Sequence, residues 1–261
     1  MPTQPSHNRL RKREIAFAVA LGGLAAGGAA LVLDGSDDSR AAPIAVTAAP
    51  QTFELAEFDE ISTLGPQQVV VTLGDTQSVR SEGSPEALGQ LEVVVENGEL
   101  IIRPKDESGV DWDALSSATY HVTLPDLDAV ALAGSGNLRV DRIAGESFTA
   151  TIEGSGELTI ADMEVEEADF SIGGSGTITA AGSARETRVE IGGSGDVRAG
   201  ELRSEEASVE IAGSGTVALT VAEEARVEIA GSGDVDISGP ARCTVENVGG
   251  GSVRCGGGDT D

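Results

Sequence analysis

Hydrophobic and polar positions alternate along the second half of the chain, and the alternation is locked to a recurring tripeptide. Gly-Ser-Gly begins at residues 134, 154, 174, 193, 213 and 231, with Gly249-Gly250-Gly251 as a degenerate seventh copy, at intervals of 20, 20, 19, 20, 18 and 18 residues. Two residues before each first glycine stand Leu132, Ile152, Ile172, Ile191, Ile211, Ile229 and, at the last copy, Asn247. Four before it are Val130, Ala150, Phe170, Val189, Val209, Val227 and Val245. Four after it run Leu138, Leu158, Ile178, Val197, Val217, Val235 and Val253, and six after it Val140, Ile160, Ala180, Ala199, Leu219, Ile237 and Cys255. All four columns share one parity, the period-two signature of strands with one face buried.

Each repeat therefore reads as a strand, a Gly-Ser-Gly corner, a second strand and a variable return. One such coil cannot bury its own inner face, so coils stack, and a fixed internal period near 20 residues predicts a parallel β-solenoid over an ordinary β-sandwich. Stacking puts like residues on like residues, which is why small aliphatic side chains can fill a narrow core. The stretch from Phe53 to Leu127 lacks the corner motif but keeps strand signals at residues 67–73, 91–95, 100–104 and 119–125, with Asn97-Gly98 as a tight turn. It is expected to form the first, less regular part of the same solenoid and to cap it.

Ahead of this lies a different pattern. Residues 1–14 carry the basic cluster RLRKR, and Ile15 to Leu33 is an uncharged run of 19 residues followed by DGSDD. At about 1.5 Å per residue such a helix reaches about 28 Å, enough to cross a hydrocarbon core with the basic end inside. A signal-anchor is favoured over a cleaved signal peptide, because Asp34 follows Leu33 directly and no small-x-small site lies close by. Residues 34–52, rich in Ala, Pro, Ser and Asp, read as a disordered tether. The solenoid is expected over 53–258, with its Gly-Ser-Gly repeats over 129–255, and 259–261 as a tail.

Composition narrows the partners. The chain of 261 residues has 44 acidic and 17 basic side chains, a formal charge of −27. That disfavours binding to nucleic acid or to anionic lipid through a basic surface. Aromatic residues make up 3%, so the core is not that of an ordinary globular enzyme.

Candidate chemistry is sparse. GGSGD at 192–196 misses the calcium nonapeptide spacing, since Asp196 follows Gly195 directly. Ser135, Ser155, Ser175, Ser194, Ser214 and Ser232 have no general base in prospect, because the one histidine beyond the apolar run, His121, sits in a strand pattern; a corner role is expected for them. No catalytic residue and no cofactor is assigned. The outward column three before each corner holds Glu190, Glu210, Glu228 and Glu246, about 5 Å apart once stacked. This ladder reads as a solvated acidic face with Arg188 and Arg226 as diagonal partners, and as the weak candidate for a metal site. Trp112, between Asp111 and Asp113, is expected to plug an end or side of the core, with stacking on a sugar ring as the alternative. Cys243 and Cys255 occupy inward columns six before and six after the last corner, and an exported location makes a disulfide closing the final coil the expectation.

The order FDEI at 58–61, VVENGELIIRP, YHVTLPDLDAVALAGSG, serial IGGSGDV units and a terminal VGGGSVRCG resembles the putative auto-transporter adhesin head GIN domain family of bacterial envelope proteins. The resemblance spans about Phe53 to Gly258 and implies a right-handed β-helix on the cell envelope, with no catalytic residues to carry over. The expected function is a non-enzymatic envelope module, adhesin-like or a scaffold, anchored in the inner membrane or secreted if the signal is cleaved. Its expected partner is an envelope protein or a glycan; the alternative is a protein that binds or modifies polysaccharide.

Overall fold

A computed structural model describes residues 50–106 and 108–256. Its elements, in chain order, are β1 (Gln51–Phe53), β2 (Glu60–Leu64), β3 (Gln68–Leu73), β4 (Ser78–Glu82), α1 (Pro85–Gln90), β5 (Leu91–Glu96), β6 (Glu99–Pro104), α2 (Trp112–Leu115), β7 (Thr119–Leu124), β8 (Ala129–Gly134) and β9 (Asn137–Val140). The regular coils follow as β10 (Ile143–Gly154), β11 (Glu157–Gly174), β12 (Thr177–Gly193), β13 (Asp196–Gly213), β14 (Thr216–Gly231), β15 (Asp234–Ser238), β16 (Arg242–Gly249) and β17 (Ser252–Cys255). The protein is an all-β solenoid. Each of β11 to β14 starts after one corner, runs through the return and ends at the next corner. The apolar span expected at Ile15–Leu33 lies outside the described residues, among which no helix is long and apolar enough to cross a membrane.

The coils pair in parallel and in register on the columns read from the sequence. Ile152 partners Leu132 and Ile172, and the series continues through Ile191, Ile211 and Ile229 to Asn247. The aliphatic members of this column are at most 3% exposed, whereas Asn247 is exposed and donates its side-chain amide to the Gly251 carbonyl at 2.8 Å. The final rung thus turns polar where no further coil covers it among the described residues. Each buried Ile or Val removes enough apolar surface for about 1.5–3 kcal/mol against an exposed one.

Corner glycines meet two demands at once. Gly134, Gly154, Gly174, Gly193, Gly213, Gly231 and Gly249 have φ between +115° and +155°, and each stacks against the corner one level below. The serine amide donates to the carbonyl of the glycine in the preceding coil, as in Ser155 N to Gly134 O and Ser214 N to Gly193 O, both 2.8 Å. The unequal coil lengths are absorbed in the returns, where the register slips between Ile160 and Met163, between Thr179 and Ala181, and between Ala199 and Glu206.

The first part of the chain is indeed a continuation of the stack, but threaded out of order. β2 and β3 form a coil directly beneath β8 and β9, with Gly65-Pro66-Gln67 in place of Gly-Ser-Gly and Gly65 at φ +125°. β6 and β7 then lie beneath β2 and β3, also in parallel, so the chain must step past its own first coil to reach β8. Beyond them the pairing turns antiparallel: β5 returns on β6 through the Asn97-Gly98 turn, β4 lies on β7, and β1 on β4. Asn97 is the one non-glycine residue with positive φ among those described, at 56°. Two short helices, absent from the sequence expectation, complete the cap. α1 is N-capped by Ser84, whose hydroxyl accepts from the Ala87 amide, and α2 by Asp111, whose carboxylate accepts from Ala114. The buried aromatic side chains Phe58, Tyr120, Phe148 and Phe170 sit in the cap and the coils next to it.

Candidate functional site

Because every coil repeats the same geometry, its outward side chains form ladders rather than a pocket. On the face leading into the corner, Thr151, Ser171, Glu190, Glu210, Glu228 and Glu246 stand in one register column. The four glutamates anticipated from the sequence are therefore stacked on successive rungs, all exposed. Among the described residues no group of three or more His, Cys, Asp or Glu side chains converges to hold a metal ion.

A second acidic column escaped the sequence reading. Ser147, Glu167, Glu186, Glu206 and Glu224 stack four residues upstream of the first ladder and end on Arg242. Between the two ladders runs Thr149, Asp169, Arg188, Ser208, Arg226 and Thr244. Arg188 does not brace the first ladder. It reaches Asp169 at 3.0 Å and Glu186 at 3.1 Å, while Arg226 approaches Glu228 at 4.0 Å. Arg185 approaches Glu167 at 3.9 Å, so with Arg242 four arginines serve a face of nine carboxylates, which keeps it anionic.

On the face leaving the corner, carboxylates alternate with hydroxyls. Thr177, Asp196, Thr216, Asp234 and Ser252 form one column, in which Thr216 donates to Asp196 and Ser252 to Asp234. Beside it, Arg198, Ala218, Asp236 and Arg254 line a shallow groove of about 180 Å³, with Arg198 paired to Asp196 at 3.1 Å. The corner serines lie exposed between the two faces and are held by their backbone. His121 lies on the cap, in register with Arg80 and 3.9 Å from Glu82.

Trp112 does not plug the core as expected from the sequence; it lies against the Gly65 corner of the first coil and stays outside the hydrophobic cluster. Its ring lies where a Cβ on Gly65 would come within 3.4 Å, yet the residue is 47% exposed. Beneath that corner Gln67 is fully buried and donates its amide to Thr63 Oγ1 at 2.5 Å and to the Leu64 and Ile102 carbonyls at 3.0 and 3.3 Å. Gln67 had been read only as strand; its place directly after Gly-Pro is the signal that marks it as a corner residue.

At the other end Cys243 and Cys255 are joined in a disulfide, with Cα atoms 6.5 Å apart. Partial burial pushes the Asp128 carboxyl up, and repulsion from Asp59 and Asp126 adds to it. The hydrogen bond from Arg103 to Glu92, 2.6 Å long, holds that guanidinium above its ordinary range.

Solved structures share this fold at low sequence identity. A putative adhesin from Bacteroides fragilis superposes with a TM-score of 0.71 at 17% identity, covering 77% of this chain and 94% of its own. A putative lipid binding protein from Parabacteroides distasonis gives 0.62 at 19%, over 78% and 95%. A putative adhesin from the same species gives 0.64 at 20%, again over 78% and 95%. A comparison with curated proteins found no match. A family model matches residues 57–241, from just ahead of β2 to the return before the final coil, and on that match the chain belongs to the family described as putative auto-transporter adhesin, head GIN domain.

Proposed function

We propose that this protein is a non-enzymatic cell-envelope module, an acidic, right-handed β-solenoid held outside the inner membrane by residues 15–33 and a tether over 34–52. Right-handed winding follows the near-universal handedness of parallel β crossovers. Its task in this reading is adhesin-like or scaffolding: to present repeated faces to an envelope protein or a glycan. The observation that carries the reading is the in-register repetition of outward side chains, Glu190 on Glu210 on Glu228 and Asp169 on Arg188 on Ser208 on Arg226. Chemistry on a substrate calls for one convergent constellation, whereas equal groups at a strand spacing of about 4.8 Å suit many weak contacts made together. The envelope setting is supported by membership of the adhesin-head family.

A photo-crosslinking residue at Ser208, in the middle of the anionic face, tests this in the full-length chain within the envelope. It is expected to capture a discrete partner that the same residue at Gly200, on the return, does not. Equal labelling at both sites would remove the face as the recognition surface. The second reading, polysaccharide binding, is favoured by the open ring of Trp112. A glycan-binding screen in which Trp112→Ala abolishes a hit would establish it.

A further inference from the structure

The two ends of the solenoid differ. At the cap the stack ends in two helices and antiparallel strands, with β5 paired only to β6 and β1 only to β4, whereas at the other end the parallel coils themselves stop, with β16 paired only to β14 and β17 only to β15 among the described residues. The inner columns open there: Val245, Val253 and Cys255 are only partly buried. A free, partly apolar edge is a template for another strand.

Two residues of β16 depart from the columns they end, and the residue ahead of the strand adds a third feature. The upstream acidic ladder changes sign at its last rung, from Glu224 to Arg242, and Arg242 makes no ion pair among the described residues. The column holding Gly173, Gly192, Ala212 and Ala230 ends in Val248, 78% exposed. Pro240, just before β16, is exposed as well. Outward along this edge the order is Pro240, Arg242, Thr244, Glu246, Val248: apolar, positive, neutral, negative, apolar.

That order is self-complementary. We infer that the open end is a dimerisation surface, on which β16 pairs antiparallel with β16 of a second copy about a two-fold axis at Thr244. This register sets Arg242 opposite Glu246 twice, Val248 opposite Pro240 twice, and Thr244 opposite Thr244. Directly opposed residues in an antiparallel pair have Cβ atoms about 4.5–5.5 Å apart, within reach of these pairs. Shifting the axis to Val245 would set Arg242 against Val248 and Glu246 against Thr244, losing both matches. Inward, Cys243 meets Val245 and Asn247 meets Ala241, so the two cores join end to end. An isologous contact of this kind closes at two copies, because each copy uses the same edge and that edge is then consumed.

The test is a charge-reversal exchange in the full-length chain in detergent, followed by sedimentation velocity. Wild type is expected to dimerise. Arg242→Glu and Glu246→Arg, each alone, place like charges opposite each other and are expected to raise the dissociation constant at least about tenfold. An equimolar mixture of the two single variants restores opposite charges at both sites and is expected to recover the dimer, as is the double variant R242E/E246R. A misfolded single variant could not be rescued by mixing, so recovery separates docking from folding. A wild type that stays monomeric at the highest concentration reached, single variants that dimerise like wild type, or a mixture that does not recover would each overturn the inference.

Discussion

Gly154 lies so close over Gly134 that a Cβ on Gly154 would stand 2.5 Å from the Gly134 carbonyl oxygen, and its own φ is +132°. Dihedral and stacking therefore demand glycine independently, and the demand recurs at each corner up the stack. Gly200, in contrast, lies on a return where a Cβ meets nothing within 4 Å.

The first prediction follows from that contrast. Gly154→Ala forces an unfavourable backbone and a steric overlap and is expected to cost at least about 2 kcal/mol, whereas Gly200→Ala should stay within about 0.5 kcal/mol of wild type. For a domain of this size 2 kcal/mol corresponds to about 4–8 °C in Tm. Thermal melts of the two variants compare them directly. Equal melting temperatures would contradict the corner geometry.

The same contacts explain how much of the fold was legible. A corner that must be glycine and a rung that must match its neighbours write themselves into the sequence at a fixed period, so Ile152, Ile172, Ile191, Ile211 and Ile229 could be assigned inward without coordinates. The Gly65-Pro66-Gln67 corner was illegible for the complementary reason. Gln67 anchors itself through Thr63, Leu64 and Ile102, contacts no other coil makes, so it shares no residue with the repeat beyond glycine. The threading of β6 and β7 beneath β2 and β3 is likewise set by non-local pairing. The second ladder, Glu167 to Glu224, had the period but adjoined returns whose lengths vary. Bulges absorb that variation before the ladder begins, which only the register reveals.

A second prediction concerns the terminal coil. The Cys243–Cys255 disulfide closes a loop of sequence separation 12, for which restriction of the unfolded chain is worth about 2–4 kcal/mol. Both cysteines belong to the last, one-sided turn, so reduction should loosen that turn before the rest. Amide exchange after reduction is expected to rise around Val245 to Val253 while Ile172 stays protected. A uniform rise along all coils would show that the crosslink acts on the whole solenoid.

Asp128 gives a third, with a definite sign. Its carboxyl is held above the ordinary carboxylate value, first by burial and then by Asp59 and Asp126. An acid whose pKa is raised on folding costs no stability below its unfolded pKa, where both states are protonated. The cost develops as pH rises toward the folded value and is complete above it. Asp128→Asn keeps the backbone bonds to Asp59 and Thr149 and removes that cost. The variant should therefore gain stability relative to wild type at pH 7 and not at pH 3, by less than about 1 kcal/mol because the side chain is partly exposed. Urea titrations at the two pH values check it, and an equal difference at both would place the effect outside ionisation.

The last prediction concerns the ladder anticipated from the sequence. Glu210 is exposed between Glu190 and Glu228, in register with both. The ion pair made to this column among the described residues runs from Arg226 to Glu228, at 4.0 Å. Like charges directly opposite in a sheet destabilise it by about 0.2–1 kcal/mol. Glu210→Gln is therefore expected to raise Tm at low ionic strength, and the gain should shrink as sodium chloride brings the Debye length toward the rung spacing, about 3 Å at 1 M. Calcium at matched ionic strength distinguishes screening from bridging. Screening alone makes the ladder's contribution depend on ionic strength and not on the identity of the cation. A calcium excess that disappears when Glu190, Glu210 and Glu228 are all changed to glutamine would assign a bound ion to the ladder and give the adhesin-like face a cation-dependent contact.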